Sequence, residues 1–229
     1  MQAKAFRLSQ MKTSLPERGH EGAIMRQQAT RELYSYWNSI RRERAAPDRA
    51  EIDPAAIRAI LSDTFMIEVD GDDAFPLRLS GTRLNALWLK EMKGRSFLDL
   101  WGEDRANVAA VLWTVMDGAV PVVAGVSAAP SDHRAIDLEL LLLPLRHHGR
   151  THARILGALA CAAQPDWFGL IPVERFELRS LRVMSAADSR VDLPVIRRMS
   201  GAPERRLGSR PRLRLLNGGL DRSHVQGSR

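Results

Sequence analysis

The sequence predicts an α+β fold, and three observations carry that prediction. A strand-like run, TFMIEV (Thr64 to Val69), is followed by Pro76 to Trp101, PLRLSGTRLNALWLKEMKGRSFLDLW, a short strand running into a cluster of very short helical pieces. A longer helical pattern from Glu103 to Met116 then leads into three further strand-like runs. Ahead of these, Gln28 to Arg44 carries an apolar stripe of its own. The order is therefore helix, then strand, strand, short helices, helix, strand, strand, strand.

Residues 1–25 lack sustained periodicity and contain Pro16, Gly19 and Gly22, so a flexible arm is expected over 1–26. In the helical segment 27–61, Leu33, Trp37 and Ile40, with Tyr36, recur at spacings of three and four and fall on one face. Arg41, Arg42 and Arg44 load the last turn, where positive charge suits the helix dipole, and Pro47 ends it. Asp53 as N-cap with Pro54 at the first helical position predicts a second, shorter helix through AAIRAIL. In Thr64 to Val69, Phe65, Ile67 and Val69 alternate with Met66 and Glu68, a half-buried strand pattern. GDDAF supplies a turn, and Leu77 and Leu79 alternate with Arg78 and Ser80 in the partner strand, which Gly81-Thr82 breaks. Leu84, Leu87 and Trp88 fit a short helix, and SFLDLW another after Gly94.

From Glu103 to Met116, Val108, Val111, Leu112 and Val115 share one face, and Gly118 and Pro121 stop the helix. Strands follow at Pro121 to Ala128, Ala135 to Arg146 and His152 to Ala163, the last two joined by a tight turn at 147–149 as a hairpin. The core thus spans 62–165, with a C-terminal extension at 166–189 and a basic, disordered tail at 190–229. Within these last segments, 176–183 and RLRLL (212–216) could each add a strand.

The formal charge of +7 is unevenly placed. Residues 1–26 hold five Lys/Arg against two Glu, residues 190–229 hold ten Arg against three acids, and 27–189 is left at −3. A DNA-binding fold would carry its basic patch on a structured face, so nucleic acid is not the expected partner of the body. Basic tails can still attract nucleic acid, acidic proteins or anionic lipid, or simply solubilise the chain. No apolar run approaches the roughly 20 residues of a membrane helix, and the N-terminus has no apolar signal segment. The single cysteine permits no internal disulfide. A cytoplasmic protein without membrane insertion is the expectation.

Several blocks resemble one family. They are LYSYWNSIRRERAAPDRAEIDPAAI (33–57), FPLRLSGTRLNALW (75–88), GRSFLDLW (94–101) and LPLRHHGRTHARILGAL (143–159). In this order they are similar to the stand-alone PAS domain proteins of alphaproteobacteria linked to motility and cell-cycle signalling. The resemblance implies a PAS fold, a five-stranded antiparallel sheet with short helices and one longer helix across one face. It also implies signalling by protein contact, with placement at a cell pole, rather than catalysis. PAS domains often carry an amphipathic helix ahead of the first strand that packs across a homodimer interface. Leu33, Tyr36, Trp37 and Ile40 are the candidates for that interface; capping the open face of the chain's own sheet would bury the same residues.

A sheet with helices on one face encloses a concave space. Phe65, Ile67, Leu77, Leu79, Leu98, Val108, Val111, Leu112, Leu138, Leu140, Ile155 and Leu159 would line it, either as a small-molecule pocket or simply as core. Arg78, Thr82 and Arg83 flank the strand break; they could receive an anionic ligand, or Thr82 could cap the next helix while the arginines sit in solvent.

Haem-binding PAS domains usually take a histidine from the long helix, and 103–117 has none. A flavin–cysteine adduct needs a cysteine among the short helices, whereas Cys161 lies on the last strand, where a buried structural thiol is expected. A flavin held without an adduct stays open. His147 and His148 are adjacent in a turn and, with His152, lack a completing ligand, so no metal site is expected. His20-Glu21 faintly echoes a kinase phosphoacceptor, but neither a glycine-rich ATP segment nor a GxxxxGK[ST] loop accompanies it. No motif for an enzyme stands out. The expected function is a non-enzymatic PAS sensory or protein-interaction module, without an output domain of its own, that couples a signal or an unidentified signalling protein to motility or the cell cycle. The alternative is a nucleic-acid-associated regulator acting through the arginine-rich tail, and salt separates the two because phosphate contacts weaken steeply as salt rises.

Overall fold

The computed structural model describes residues 25–69, 74–147, 150–184 and 190–192. Its first elements are α1 (Gln28–Arg41), 3-10 turns at Arg49–Glu51 and Arg58–Asp63, β1 (Thr64–Glu68) and β2 (Leu77–Ser80). Next come α2 (Thr82–Trp88), 3-10 turns at Phe97–Leu100 and Gly102–Asp104, and α3 (Arg105–Gly118). Five strands follow: β3 (Val122–Ala129), β4 (Ile136–His147), β5 (Arg150–Cys161), β6 (Arg175–Met184) and β7 (Arg190–Asp192). The strands form one antiparallel sheet in the order β2-β1-β5-β4-β3-β6-β7.

The expected α+β PAS fold and all five of its strands are present, but the sheet is larger. The run at 176–183 becomes β6, paired with β3 over eight residues from Ala129↔Arg175 to Val122↔Val183. Sheet and core therefore continue past residue 165. Residues 190–192 add β7 against β6, so the first residues of the basic tail belong to the sheet. The rest of that tail, RLRLL (212–216) included, and the arm through residue 24 with His20 and Glu21 lie outside the described residues. A second correction concerns Pro54 onward. Asp53 does accept the Ala55 N–H (2.9 Å), but the chain makes turns and then the 3-10 segment Arg58–Asp63 instead of an α-helix.

Helices cover both faces, the arrangement in which α1 caps the open face of the chain's own sheet. On one face, Phe65, Ile67, Leu77, Leu138, Leu140, Leu142 and Ile155 pack with α2, α3 and the 3-10 turns. On the other, Met66, Leu141, Leu143, Leu145, Leu156, Ala158 and Ala160 pack with Ala29, Leu33 and Trp37 of α1. This three-layer arrangement explains the apolar run Leu140 to Leu143: β4 is central, so neither its odd nor its even residues meet water. Pro144 is tolerated there because it lies two residues beyond Leu142, the last residue of β4 paired with β3, so no β3 partner needs its missing N–H.

Two polar contacts fix α1 to the sheet. The indole N–H of Trp37 donates to the carbonyl of Pro144 (2.9 Å). At the other end, the nearly buried carboxylate of Glu139 accepts the backbone N–H groups of Arg26 (2.7 Å) and Gln27 (3.0 Å) and the hydroxyl of Thr30. A carboxylate on β4 thus acts as a helix cap from 112 residues away in sequence.

Candidate functional site

The space between the sheet and the α2–α3 layer contains eleven of the twelve expected lining residues: Phe65, Ile67, Leu77, Leu98, Val108, Val111, Leu112, Leu138, Leu140, Ile155 and Leu159, all buried in one cluster. Leu79 does not join them. It pairs with Met66, whose side chain faces the α1 side, and it is 51% exposed on the edge strand β2. The one-residue irregularity between Met66 and Ile67 explains the mismatch, because Leu77 and Leu79 cannot both follow simple alternation across it.

Aromatic rings occupy the middle of this space. Phe65 stacks on Phe97 (centroids 5.2 Å apart), Phe97 meets Trp101 edge-on (5.7 Å), and Trp101 meets Phe176 (5.3 Å), which in turn meets Trp88 (4.4 Å). Such edge and offset geometries add to area burial. The ring of Phe65 lies directly over Gly157 of β5: a Cβ at that glycine would fall 2.2 Å from Phe65 Cζ. Only a glycine there lets the ring lie against the sheet. Phe97, Trp101, Trp88 and Phe176 are additions to the expected lining. Their signal is aromatic spacing in the short-helix segment, plus a β6 whose place in the sheet only the fold reveals.

The polar candidates do not converge. Arg78 pairs with Glu68, which also takes Arg154 at 3.3 Å. Arg83 grips both oxygens of Asp63 at 2.5 and 2.6 Å, and Asp63 is 2% exposed. That pairing raises the Arg83 guanidinium above its usual range. Thr82 is the first helical residue and Gly81 holds the cap position, so Thr82 is not the cap. The two arginines are thus engaged within the chain, Arg78 tying β2 to β1 and Arg83 tying α2 to the 3-10 segment Arg58–Asp63.

Cys161 is half-buried on β5 opposite Leu138, and burial pushes its thiol pKa up, away from reactivity. Among the described residues there is no group of three or more His, Cys, Asp and Glu side chains able to hold a metal ion. No described helix is long and apolar enough to cross a membrane. Of the candidate dimer residues, Leu33 and Trp37 are 0% and 1% exposed within the single chain, and Tyr36 and Ile40 are half-buried. The Tyr36 hydroxyl accepts the Asp53 N–H (2.7 Å). The apolar face of α1 therefore caps the chain's own sheet, the intramolecular one of the two arrangements open to the sequence.

The antiparallel sheet thus carries α2, α3 and the 3-10 turns over an interior lined by aromatic rings. The model of the PAS domain family matches residues 25–160, more than half the sequence, and the chain belongs to that family. Among solved structures it is similar to one titled "Structure of an RNA-binding Light-Oxygen-Voltage Receptor", at 21% identity and a TM-score of 0.38, over 49% of this chain and 34% of that one. It is also similar to the structure of a singly substituted form of RsLOV, at 13% identity and a TM-score of 0.36, over 48% of this chain and 67% of that one. The chain thus spans about a third of the length of the first of these. No curated protein sequence matches it.

Proposed function

We propose that this PAS domain is a non-enzymatic signalling module that works by binding another protein, in the motility or cell-cycle setting implied by the blocks at 33–57, 75–88, 94–101 and 143–159. The observation that carries the proposal is a pairing of opposites. The interior face is packed with the chain's own aromatic rings, while large apolar side chains remain exposed outside it: Leu170 at 73%, Leu79 at 51%, Leu89 at 46% and Leu61 at 40%. Leu89 directly follows α2, and Leu170 lies in the β5–β6 connection, which is tied to α2 by the Val173 N–H bond to the Leu87 carbonyl (2.8 Å). Exposed apolar side chains on adjoining segments suit a protein contact better than solvent.

The test is complementation in the native host. A strain lacking the gene is scored for swimming in soft agar and for DNA content per cell. Restoration by the natural chain but not by Leu89→Asp/Leu170→Asp, with both proteins equally stable, supports the proposal. No phenotype in the deletion strain, or full rescue by the double variant, refutes it.

A further inference from the structure

Among the described residues, a cleft of about 260 Å³ opens where α1 begins, between it and the β3–β6 pair. Its polar lining is Arg26, Gln27, Arg179, Ser180, Arg182, Asp137 and Glu139. The local chain geometry explains why three of these stand together. Leu178 pairs with Val126 and Ser180 with Gly125, so Arg179 is the extra residue of a β-bulge. Val126 faces the aromatic interior, whereas Arg182 pairs with Val123, which faces α1. The bulge thus turns Arg179 to the same side as Ser180 and Arg182, although strict alternation would send it to the other.

Gly125 forms the floor. Its N–H donates to Ser180 Oγ (3.1 Å), and a Cβ at residue 125 would fall 2.6 Å from that oxygen, so the bulge and the open floor require each other. The two carboxylates differ in availability. Glu139 is engaged by the first backbone N–H groups of α1 and by Thr30, while Asp137 is exposed. Arg179 forms a pair with Glu177 (2.7 Å), Arg179 being exposed and Glu177 half-buried. Pairs of that kind exchange readily because they are worth little. The α1 N-terminus itself is already capped, so any attraction for an anion comes from the guanidiniums.

We propose that this cleft binds a compact dianion, a phosphate group or a small dicarboxylate, gripped by Arg179 and Arg182 across the bulge with Arg26 contributing from the start of α1. Guanidinium forks match either anion through paired N–H bonds, and the volume suits a group of that size better than a nucleotide or a flavin. Such a ligand touches residues 26 and 27, where the chain enters α1, so its binding is felt by the helix that closes the sheet.

The test must separate this cleft from the ten arginines of 190–229, which attract anions without a site. Backbone amide spectra of the full chain are followed during titration with inorganic phosphate and, separately, with succinate at constant ionic strength. Saturable shifts are expected at Gln27, Gly125 and Ser180, with apparent affinity at least about tenfold weaker in Arg179→Gln/Arg182→Gln. Arg175→Gln, on the same strand but outside the cleft, should leave affinity unchanged. Response to phosphate alone assigns a phosphate group, and response to succinate assigns a carboxylate ligand. Shifts that never saturate, that spare these three amides, or that weaken equally in Arg175→Gln overturn the proposal. Melting temperature checks that the variants are folded.

Discussion

Replacing Trp37 with alanine tests whether α1 belongs to the fold of its own chain. The indole is 1% exposed, packs with Leu33 and with the β4 and β5 side chains beneath it, and donates its N–H to Pro144 at 2.9 Å. Truncating a buried tryptophan to alanine costs about 3–5 kcal/mol through lost transfer energy and the cavity left behind. A domain of this size holds only about 5–15 kcal/mol in total. At roughly 2–4 °C per kcal/mol, the melting temperature should fall by about 6–20 °C. Trp37→Phe keeps most of the ring but leaves the Pro144 carbonyl without its donor, and should cost about 1–3 kcal/mol. Thermal unfolding by circular dichroism, with light scattering on the same samples, reads both stability and association. A Trp37→Ala chain that melts where the parent does but changes from dimer to monomer would show that the helix face is intermolecular, and would refute the assignment of α1 to its own sheet.

Three further outcomes are expected. Gly157→Ala should destabilise by about 1–3 kcal/mol, since its Cβ would lie 2.2 Å from Phe65 Cζ, and Phe65→Leu in the same chain should recover part of that loss in denaturant titration; an additive double variant would contradict the contact. Glu139→Ala strips the acceptor from two N–H groups and the Thr30 hydroxyl, so amides of the first turn of α1 should exchange with deuterium markedly faster than in the parent while those of α3 do not, and equal protection of both helices would contradict the capping role. Cys161, its pKa raised by burial, should be alkylated by iodoacetamide far more slowly in the folded chain than in denaturant at mildly alkaline pH; equal rates would show an open thiol.

Much of this architecture is legible in the sequence because its signals are local. The alternation in β1, the four-residue face of α3, and the hairpin joining β4 and β5 need only near neighbours, and their bounds shift by one or two residues. What the sequence hides is what depends on distant partners. Glu139 looks like a charge at a strand entrance, and nothing within a few residues shows that it caps a helix far upstream. β6 carries Arg175, Arg179 and Arg182 among its apolar residues, a weak strand signal until β3 supplies the neighbour. Leu79 departs from its expected place because alternation across an irregular pairing is not simple. The stripe of α1 is visible, but a stripe has no address: Leu33 and Trp37 could face a partner or the chain's own sheet, and only the apolar Leu141, Leu143 and Leu145 beneath them decide it.

The proposal that the side chains facing α2 and α3 serve as core, and that output comes from protein contact, is tested most directly by native mass spectrometry of the chain purified from its own host. The mass predicted is that of the polypeptide or its protein complexes, with no flavin, haem or other organic molecule released on denaturation. A stoichiometric organic ligand, lost when Gly157 is replaced or Phe65 is changed, would contradict it.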